Sequence, residues 1–148
     1  MIPELGYRMA DNSRLLRRLF DARVRDLGLT AVQARLLLAL DRNPRCNQGF
    51  YAERLEVEPI TLTRIVDRME SAGWIERKAD PDDRRARILH LTRKARSIVA
   101  QVEAIVDRLV HEMVAGLTRP EQEQLGELLD RIGANLATAR DLPEIAHG

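Results

Sequence analysis

The chain has 148 residues, a length that fits one domain or two small lobes sharing a core. Apolar residues make up 45% of it and charged residues 32%, which excludes a globally disordered chain. Apolar runs are short, as at 36–40, and no signal-type segment precedes them, so we expect a cytoplasmic protein without a membrane span. The single cysteine, Cys46, excludes an intramolecular disulfide and a cysteine-built metal site.

The net charge of +1 conceals an uneven distribution along the chain. The net charge is +2 over residues 1–59, +4 over 60–96 and −5 over 97–148. Arginine supplies all the basic groups except Lys78 and Lys94, and its planar guanidinium makes bidentate contacts with phosphates and guanine. A basic middle followed by an acidic end indicates a polyanionic partner for the middle segment.

Periodicity predicts three helices in the first part of the chain. Apolar residues recur at helical spacing over 15–24 and predict an amphipathic helix that ends near Gly28. Thr30 followed by Gln33 is a capping-box pattern and predicts the start of a second helix. We expect a short third helix around 48–55.

The segment after Pro59 predicts a fourth helix with an unusual polar face. Pro59 suits the first turn of a helix, because its missing N–H is not needed there. Apolar residues then follow the spacing of one buried stripe, and Gly73 stands where a left-handed C-terminal cap is expected. The opposite face presents hydroxyls and arginines: Thr61, Arg64 and Arg68, with Thr63 and Asp67 at its margins.

Beyond Gly73 the spacing of the apolar residues changes from that of a helix to that of a strand. Residues 74–78 begin with β-formers, and Asp80-Pro81-Asp82-Asp83 is a strong turn signal. Residues 85–90 then alternate in the manner of a strand. We predict a β-hairpin with a charged loop, whose tip bears Arg84, Arg85 and Arg87.

From Thr92 onward the pattern is helical again. An apolar stripe from Ile98 to about Leu117 predicts one long helix. Thr118 with Glu121 forms a second capping box before a last helix. The first helix and these two are long for so short a chain, and a monomer would leave much of their apolar surface uncovered, so we expect a homodimer.

The sequence contains no motif that indicates an enzyme. No serine lies in a Gly-x-Ser-x-Gly elbow, no Gly-x-Gly cradle is present, and the histidines lack metal-binding spacing. We therefore expect no catalytic residue, no metal ligand and no cofactor.

A helix–turn–helix followed by a two-stranded wing is a winged helix, a mainly α fold with a small β-hairpin. Its fourth helix fits the major groove, where Arg64 can bind guanine and Thr61 and Thr63 can contact thymine methyls or phosphates. The tip arginines have the reach and charge to enter the adjacent minor groove, and Asp83 can orient one of them by a salt bridge. The predicted DNA-binding set is Pro59, Thr61, Thr63, Arg64, Arg68, Asp83, Arg84, Arg85 and Arg87. The alternative for the helix face at 61–68 and for the loop at 84–87 is a solvated surface without a binding role.

The same residues resemble the MarR family of bacterial transcription regulators. The resemblance is carried by the runs 62–70 and 73–77, by Asp83-Arg84-Arg85 and by Leu91-Thr92. The Arg84-Arg85-Ala86 wing and the Leu5-Gly6 start resemble its SlyA-like branch. The resemblance implies one domain over 1–148, with a winged-helix DNA-binding lobe at 30–92 and a dimerisation lobe formed by 1–28 and 93–140.

This resemblance implies a sequence-specific transcriptional regulator. The expected form is a homodimer with intertwined terminal helices that occupies a pseudo-palindromic operator on double-stranded DNA as a repressor. Arg85 is implied as the minor-groove arginine, with Asp83 as its orienting partner. The alternative function is a winged-helix adaptor that binds an acidic protein and no DNA.

The effector is less well specified by the sequence. SlyA-like members bind aromatic carboxylates such as salicylate between the two lobes, and Arg14 and Arg17, three apart on the first helix, can hold a carboxylate. The alternative for these arginines is ion pairing with Asp or Glu at the dimer surface. Residues 33–38 lack the aromatic and histidine expected of a salicylate pocket, and Phe50-Tyr51 replaces the usual polar residue and leucine. A redox role for Cys46, beside Arg45, is a further hypothesis.

Overall fold

The computed structural model describes residues 2–141 and contains six helices and one two-stranded antiparallel sheet within that range. This mainly helical architecture with a small hairpin confirms the predicted fold class. The elements in chain order are α1 (Ile2–Arg25), α2 (Ala31–Arg42), α3 (Gln48–Leu55), α4 (Pro59–Ser71), β1 (Ile75–Ala79), β2 (Arg87–Leu91), α5 (Ala95–Met113) and α6 (Arg119–Asp141).

The described residues fall into two compact units, divided after Val110. The first unit holds α1 to α4, the hairpin and most of α5. The second holds the last residues of α5 and all of α6. The domain predicted over 1–148 extends past the described residues at both ends. Among the helices of residues 2–141, not one combines the length and the apolar character that a membrane span requires.

The core of the first unit is formed by α2, α3, α4 and the hairpin, together with buried residues of α1 and α5. Leu62, Val66 and Met69 form a fully buried stripe along α4, as the sequence predicts, with Ile65 half-buried beside them. Burial of such side chains stabilises the fold by about 1.5–3 kcal/mol each. Because this stripe faces inward, the opposite face of α4 is turned to solvent. The other large fully buried side chains are Val24, Leu36, Leu37, Leu40, Tyr51, Ile75, Leu89 and Val102.

Both predicted capping boxes are present. The hydroxyl of Thr30 accepts from the Gln33 amide at 3.1 Å, and the Gln33 side chain accepts from the Thr30 amide at 3.1 Å. Thr118 and Glu121 make the same exchange at 3.3 and 2.8 Å. The hydrogen bonds with Thr118 lower the pKa of the Glu121 carboxyl. These local pairs satisfy amides that have no partner in the first turn of a helix.

Three predicted boundaries shift. α1 ends at Arg25, before Gly28, and α5 ends at Met113 although its apolar stripe continues to about Leu117. After Met113 the chain turns, with Gly116 at a φ of 86°, a left-handed conformation that stops the helix and favours glycine. The second strand begins at Arg87 rather than Arg85.

The hairpin is paired antiparallel, with Ile75 opposite Leu91 and Ala79 opposite Arg87. The middle of β2 is attached to the connection between α2 and α3, where the Leu89 amide donates to the Cys46 carbonyl at 3.1 Å. The hairpin therefore projects from the helix–turn–helix as a wing, with its loop at the free end.

Candidate nucleic-acid interface

Pro59 is the first residue of α4, as predicted, and Gly73 follows the end of the helix at a φ of 84°. A Cβ added to Gly73 would lie 3.2 Å from the Lys94 side chain, whose Nζ donates to the Ala72 carbonyl at 2.8 Å. Both ends of α4 are thus defined by local backbone chemistry, and its orientation is held by the buried stripe.

The outer face of α4 carries exposed groups that are free to bind a partner. Thr61, Arg64 and Arg68 are all exposed. Within residues 2–141, neither the Thr61 hydroxyl nor the guanidinium of Arg64 or Arg68 has a hydrogen-bond or ion-pair partner. These three side chains match the face that the sequence predicts.

Thr63 lies differently from the other predicted contacts. Its hydroxyl donates to the Pro59 carbonyl at 3.0 Å and accepts from the Gln48 side chain at 3.3 Å. Since both hydrogen bonds are made inside the protein, the hydroxyl links α3 to α4. The thymine or phosphate contact expected of Thr63 stays a prediction.

Arg77 on β1 joins the wing to both helices of the helix–turn–helix. Its Nε donates to Gln48 Oε1 at 2.9 Å, and its Nη2 donates to the Thr63 carbonyl at 3.1 Å. The guanidinium also pairs with Asp67 at 2.6 Å and with Glu70 at 3.2 Å. The Arg77 side chain is only 19% exposed. Sequence reasoning assigned no role to this residue.

The Arg77 contacts also determine which charged side chains of α4 are ion-paired. Asp67 and Glu70, the carboxylates of the helix, both pair with Arg77. Arg77 supplies one positive charge to these two carboxylates, and the guanidinium groups of Arg64 and Arg68 have no ion-pair partner among the described residues. No local sequence motif indicates this arrangement, because Gln48 and Arg77 are 29 residues apart.

The wing loop is shaped by its aspartates. The Asp83 carboxylate accepts from the backbone amide of Arg85 at 2.9 Å, and Asp80 accepts from the Asp82 amide at 2.8 Å. No ion pair joins Asp83 to the Arg85 guanidinium in the part of the chain that the structure describes. Asp83 therefore orients Arg85 through its backbone, whereas the sequence led us to expect a side-chain salt bridge.

The three wing arginines that the sequence predicts to bind DNA have two different environments. The Arg87 guanidinium folds back and donates to the carbonyls of Arg84 and Ala86 at 3.4 and 3.3 Å. The side chains of Arg84 and Arg85 are exposed and have no partner among the described residues. Arg87 thus stabilises the loop, and Arg84 and Arg85 are presented to the outside.

Arg14 and Arg17, the predicted effector residues, lie on α1. Arg14 pairs with Asp11 at 3.4 Å, and both side chains are more than half exposed. This contact matches the ion-pair alternative for Arg14. Arg14 and Arg17 border an open depression of about 400 Å³, together with Arg18 and Asp21.

Cys46 is half-buried at the junction of the wing and the helix–turn–helix. Its amide donates to the Tyr51 hydroxyl at 3.2 Å, and that hydroxyl donates in turn to the Asn43 carbonyl. Burial raises the pKa of Tyr51 to about 12. The backbone of Cys46 is therefore structural, and the redox role of its thiol stays a prediction.

Comparison with known proteins agrees with this geometry. The sequence model of the MarR family matches residues 29–86, which span α2 to the wing loop. The crystal structure of the transcriptional regulator PA3341 is 36% identical, with a TM-score of 0.79, and the match covers 90% of this chain and 98% of that one.

Two structures of MarR from E. coli are also similar. The apo form is 28% identical with a TM-score of 0.75, covering 86% of this chain and 95% of that one. A cysteine-to-serine variant in complex with operator DNA is 29% identical with a TM-score of 0.71, covering 88% and 94%. With a matching family model and a regulator 36% identical over nearly its whole length, the chain belongs to the MarR family of transcriptional regulators.

Proposed function

We propose that the protein is a homodimer that binds a pseudo-palindromic DNA operator and represses transcription by occupying it. α4 enters the major groove of each half-site, with Arg64 and Arg68 on its outer face. The wing carries Arg85 to the adjacent minor groove. The similar MarR variant from E. coli in complex with operator DNA supports this function.

One observation carries the proposal. Arg64, Arg68, Arg84 and Arg85 are exposed and have no protein partner in the described range, although carboxylates lie on the same two elements. On α4, Asp67 and Glu70 pair with Arg77, and in the wing loop Asp80 and Asp83 accept from backbone amides. Arginines that stay unpaired while Asp67, Glu70 and Asp83 are bound by other groups favour a polyanionic partner, because phosphate and guanine both accept the guanidinium fork.

Exposed apolar surface supports the homodimer. Large apolar side chains on α6, including Leu128, Leu129, Ile132 and Leu136, are 38–60% exposed and recur on one helical face. α1 likewise presents apolar residues such as Leu15 and Leu19, which are 50% and 47% exposed. Such contiguous apolar faces mark association surfaces. A second copy of this chain covers both helices in the proposed dimer.

We infer that an effector, when present, acts by shifting the population of dimer geometries. A two-fold dimer reads half-sites about one helical turn, ~34 Å, apart. A ligand that prefers a different separation of the two α4 helices releases the DNA. A small aromatic or carboxylate molecule held by Arg17 and Arg14 is the proposed effector, and the SlyA-like branch stays a prediction.

The test is selection of bound sites from random duplex DNA, followed by a salt titration on the selected site. We expect an inverted repeat, and a logarithm of the binding constant that falls linearly with the logarithm of salt concentration as phosphate contacts release counterions. A chain that binds no duplex at low salt would favour the protein–protein adaptor and overturn the proposal. A selected site without two-fold symmetry would overturn its homodimeric part.

A further inference from the structure

Ile60 is an exposed apolar residue at the entry of α4. It is the second residue of the helix, and its side chain is 65% exposed. Val57 and Leu62, at the positions where a hydrophobic staple fixes the start of a helix, both pack into the core. Ile60 is therefore not part of the hydrophobic staple that starts the helix.

The position of Ile60 on the helix places it among the DNA-facing groups. With about 100° of rotation per residue, Ile60 and Arg64 lie about 40° apart around the helix axis, and Thr61 lies on the same outer half. The buried Leu62, Val66 and Met69 occupy the other side. Ile60 is also close to the N-terminus, the end of a recognition helix that contacts base edges.

The chemistry of the side chain limits what it can recognise. Isoleucine has no donor or acceptor, so it cannot pair with a phosphate or with the hydrogen-bonding edge of a base. The thymine C5-methyl group is the apolar feature that the major groove offers. Single exposed apolar residues are common on protein surfaces. This one differs because it lies one turn from Arg64, on the face that carries the unpartnered arginines.

We propose that Ile60 is a specificity-determining residue that packs against a thymine methyl group in each half-site. The inference rests on the proposed DNA-binding function. Ile60 lies about 6 Å from Arg64 along the helix axis, which corresponds to roughly two base-pair steps. The thymine is therefore expected within about two base pairs of the guanine that Arg64 contacts.

The experiment removes the methyl group from the DNA and the side chain from the protein. In the selected site, each thymine is replaced in turn by deoxyuridine, and binding of the full-length parent, Ile60→Ala and Ile60→Val is measured. For the parent we expect one thymine per half-site whose replacement weakens binding about fourfold, the value of one buried methyl group. Ile60→Val retains this sensitivity, and Ile60→Ala loses it.

The controls separate this inference from the proposed function. Deoxyuridine in the flanking DNA is expected to leave the affinity of the protein for its site unchanged. Ile60→Ala is expected to have the melting temperature of the parent, because Ile60 is exposed. If the parent binds its site specifically but Ile60→Ala shows the same uracil sensitivity at every position, the role of Ile60 is overturned and DNA binding stands. If the parent selects no sequence at all, the proposed function fails first, and this inference fails with it.

Discussion

Arg77 on β1 and Asp67 on α4 form an ion pair in which Nη2 and Oδ1 are 2.6 Å apart. The Asp67 side chain is 59% exposed, so solvent screens much of the electrostatic attraction. The same guanidinium also donates to two neutral acceptors, Gln48 Oε1 and the Thr63 carbonyl, and these hydrogen bonds add directional contacts. Together they fix the wing relative to the helix that we propose to enter the major groove.

Replacing Arg77 with glutamine is expected to lower the free energy of unfolding by about 1–2 kcal/mol, because several hydrogen bonds are lost at once. Operator binding is expected to weaken as well, since α4 and the wing lose their common support. Urea denaturation and a binding titration measure the two effects. The matched control is Arg68→Gln, an exposed arginine without a protein partner, whose stability is expected to equal that of the parent. Equal stabilities of Arg77→Gln and the parent would contradict the role of Arg77.

Arg64→Ala is expected to leave stability unchanged and to cost about 1–3 kcal/mol of binding free energy, because a bidentate base contact is lost. Discrimination against substitutions at the contacted base pair is expected to relax. Competition between the selected site and its single-base variants measures this. If both affinity and base preference match those of the parent across a salt titration, Arg64 does not contact the base.

Arg85→Ala is expected to weaken binding with little loss of major-groove discrimination. A minor-groove and phosphate contact contributes to all sequences, so the salt slope is expected to fall by about one. Arg85→Lys keeps the positive charge and is the control that separates the effect of the charge from that of the guanidinium group. A loss of preference confined to one major-groove base pair would place Arg85 elsewhere on the DNA.

Ile132→Glu is expected to disrupt the dimer, because it places a charge on the exposed apolar face of α6. Sedimentation velocity measures the loss of the dimer, and operator affinity is expected to fall with it, since one protomer cannot span two half-sites. Asp130→Lys changes a charge on the opposite side of the same helix and is expected to leave the dimer intact. A parent that sediments as a monomer would rule out this interface.

Tyr51 is expected to stay un-ionised in the folded protein until about pH 12, because burial disfavours the tyrosinate. In the unfolded chain Tyr51 ionises with the ordinary pKa of 10.0. Its contribution to the free energy of unfolding is therefore fully present below pH 10 and is lost as the pH rises towards 12. Absorbance at 295 nm in a Tyr7→Phe background follows this titration. Tyr51→Phe is expected to cost about 1–3 kcal/mol of stability, since the Cys46 amide loses its acceptor and the Asn43 carbonyl its donor. Ionisation of Tyr51 near pH 10 would show that the side chain is not buried.

Much of the fold follows from local patterns. The capping boxes at Thr30 and Thr118, Pro59 at the start of α4 and the buried stripe of that helix all depend on residues a few positions apart. Such relationships are set by helix geometry and can be deduced from sequence spacing alone. The exposed faces of α4 and of the wing follow from the same patterns, and so do the candidate arginines.

The tertiary structure decided which polar groups are free and which are bound. Gln48, Thr63 and Glu70 meet Arg77 across sequence separations of up to 29 residues, so no local spacing predicts the cluster. The sequence determined the helices, the hairpin and the arginine-rich faces, because these depend on near neighbours. The bond from the Arg85 amide to Asp83 spans only two residues and is local. Only the packed structure determined that Arg64 remains unpaired, because Asp67 and Glu70 are bound by Arg77, which folding brings to α4.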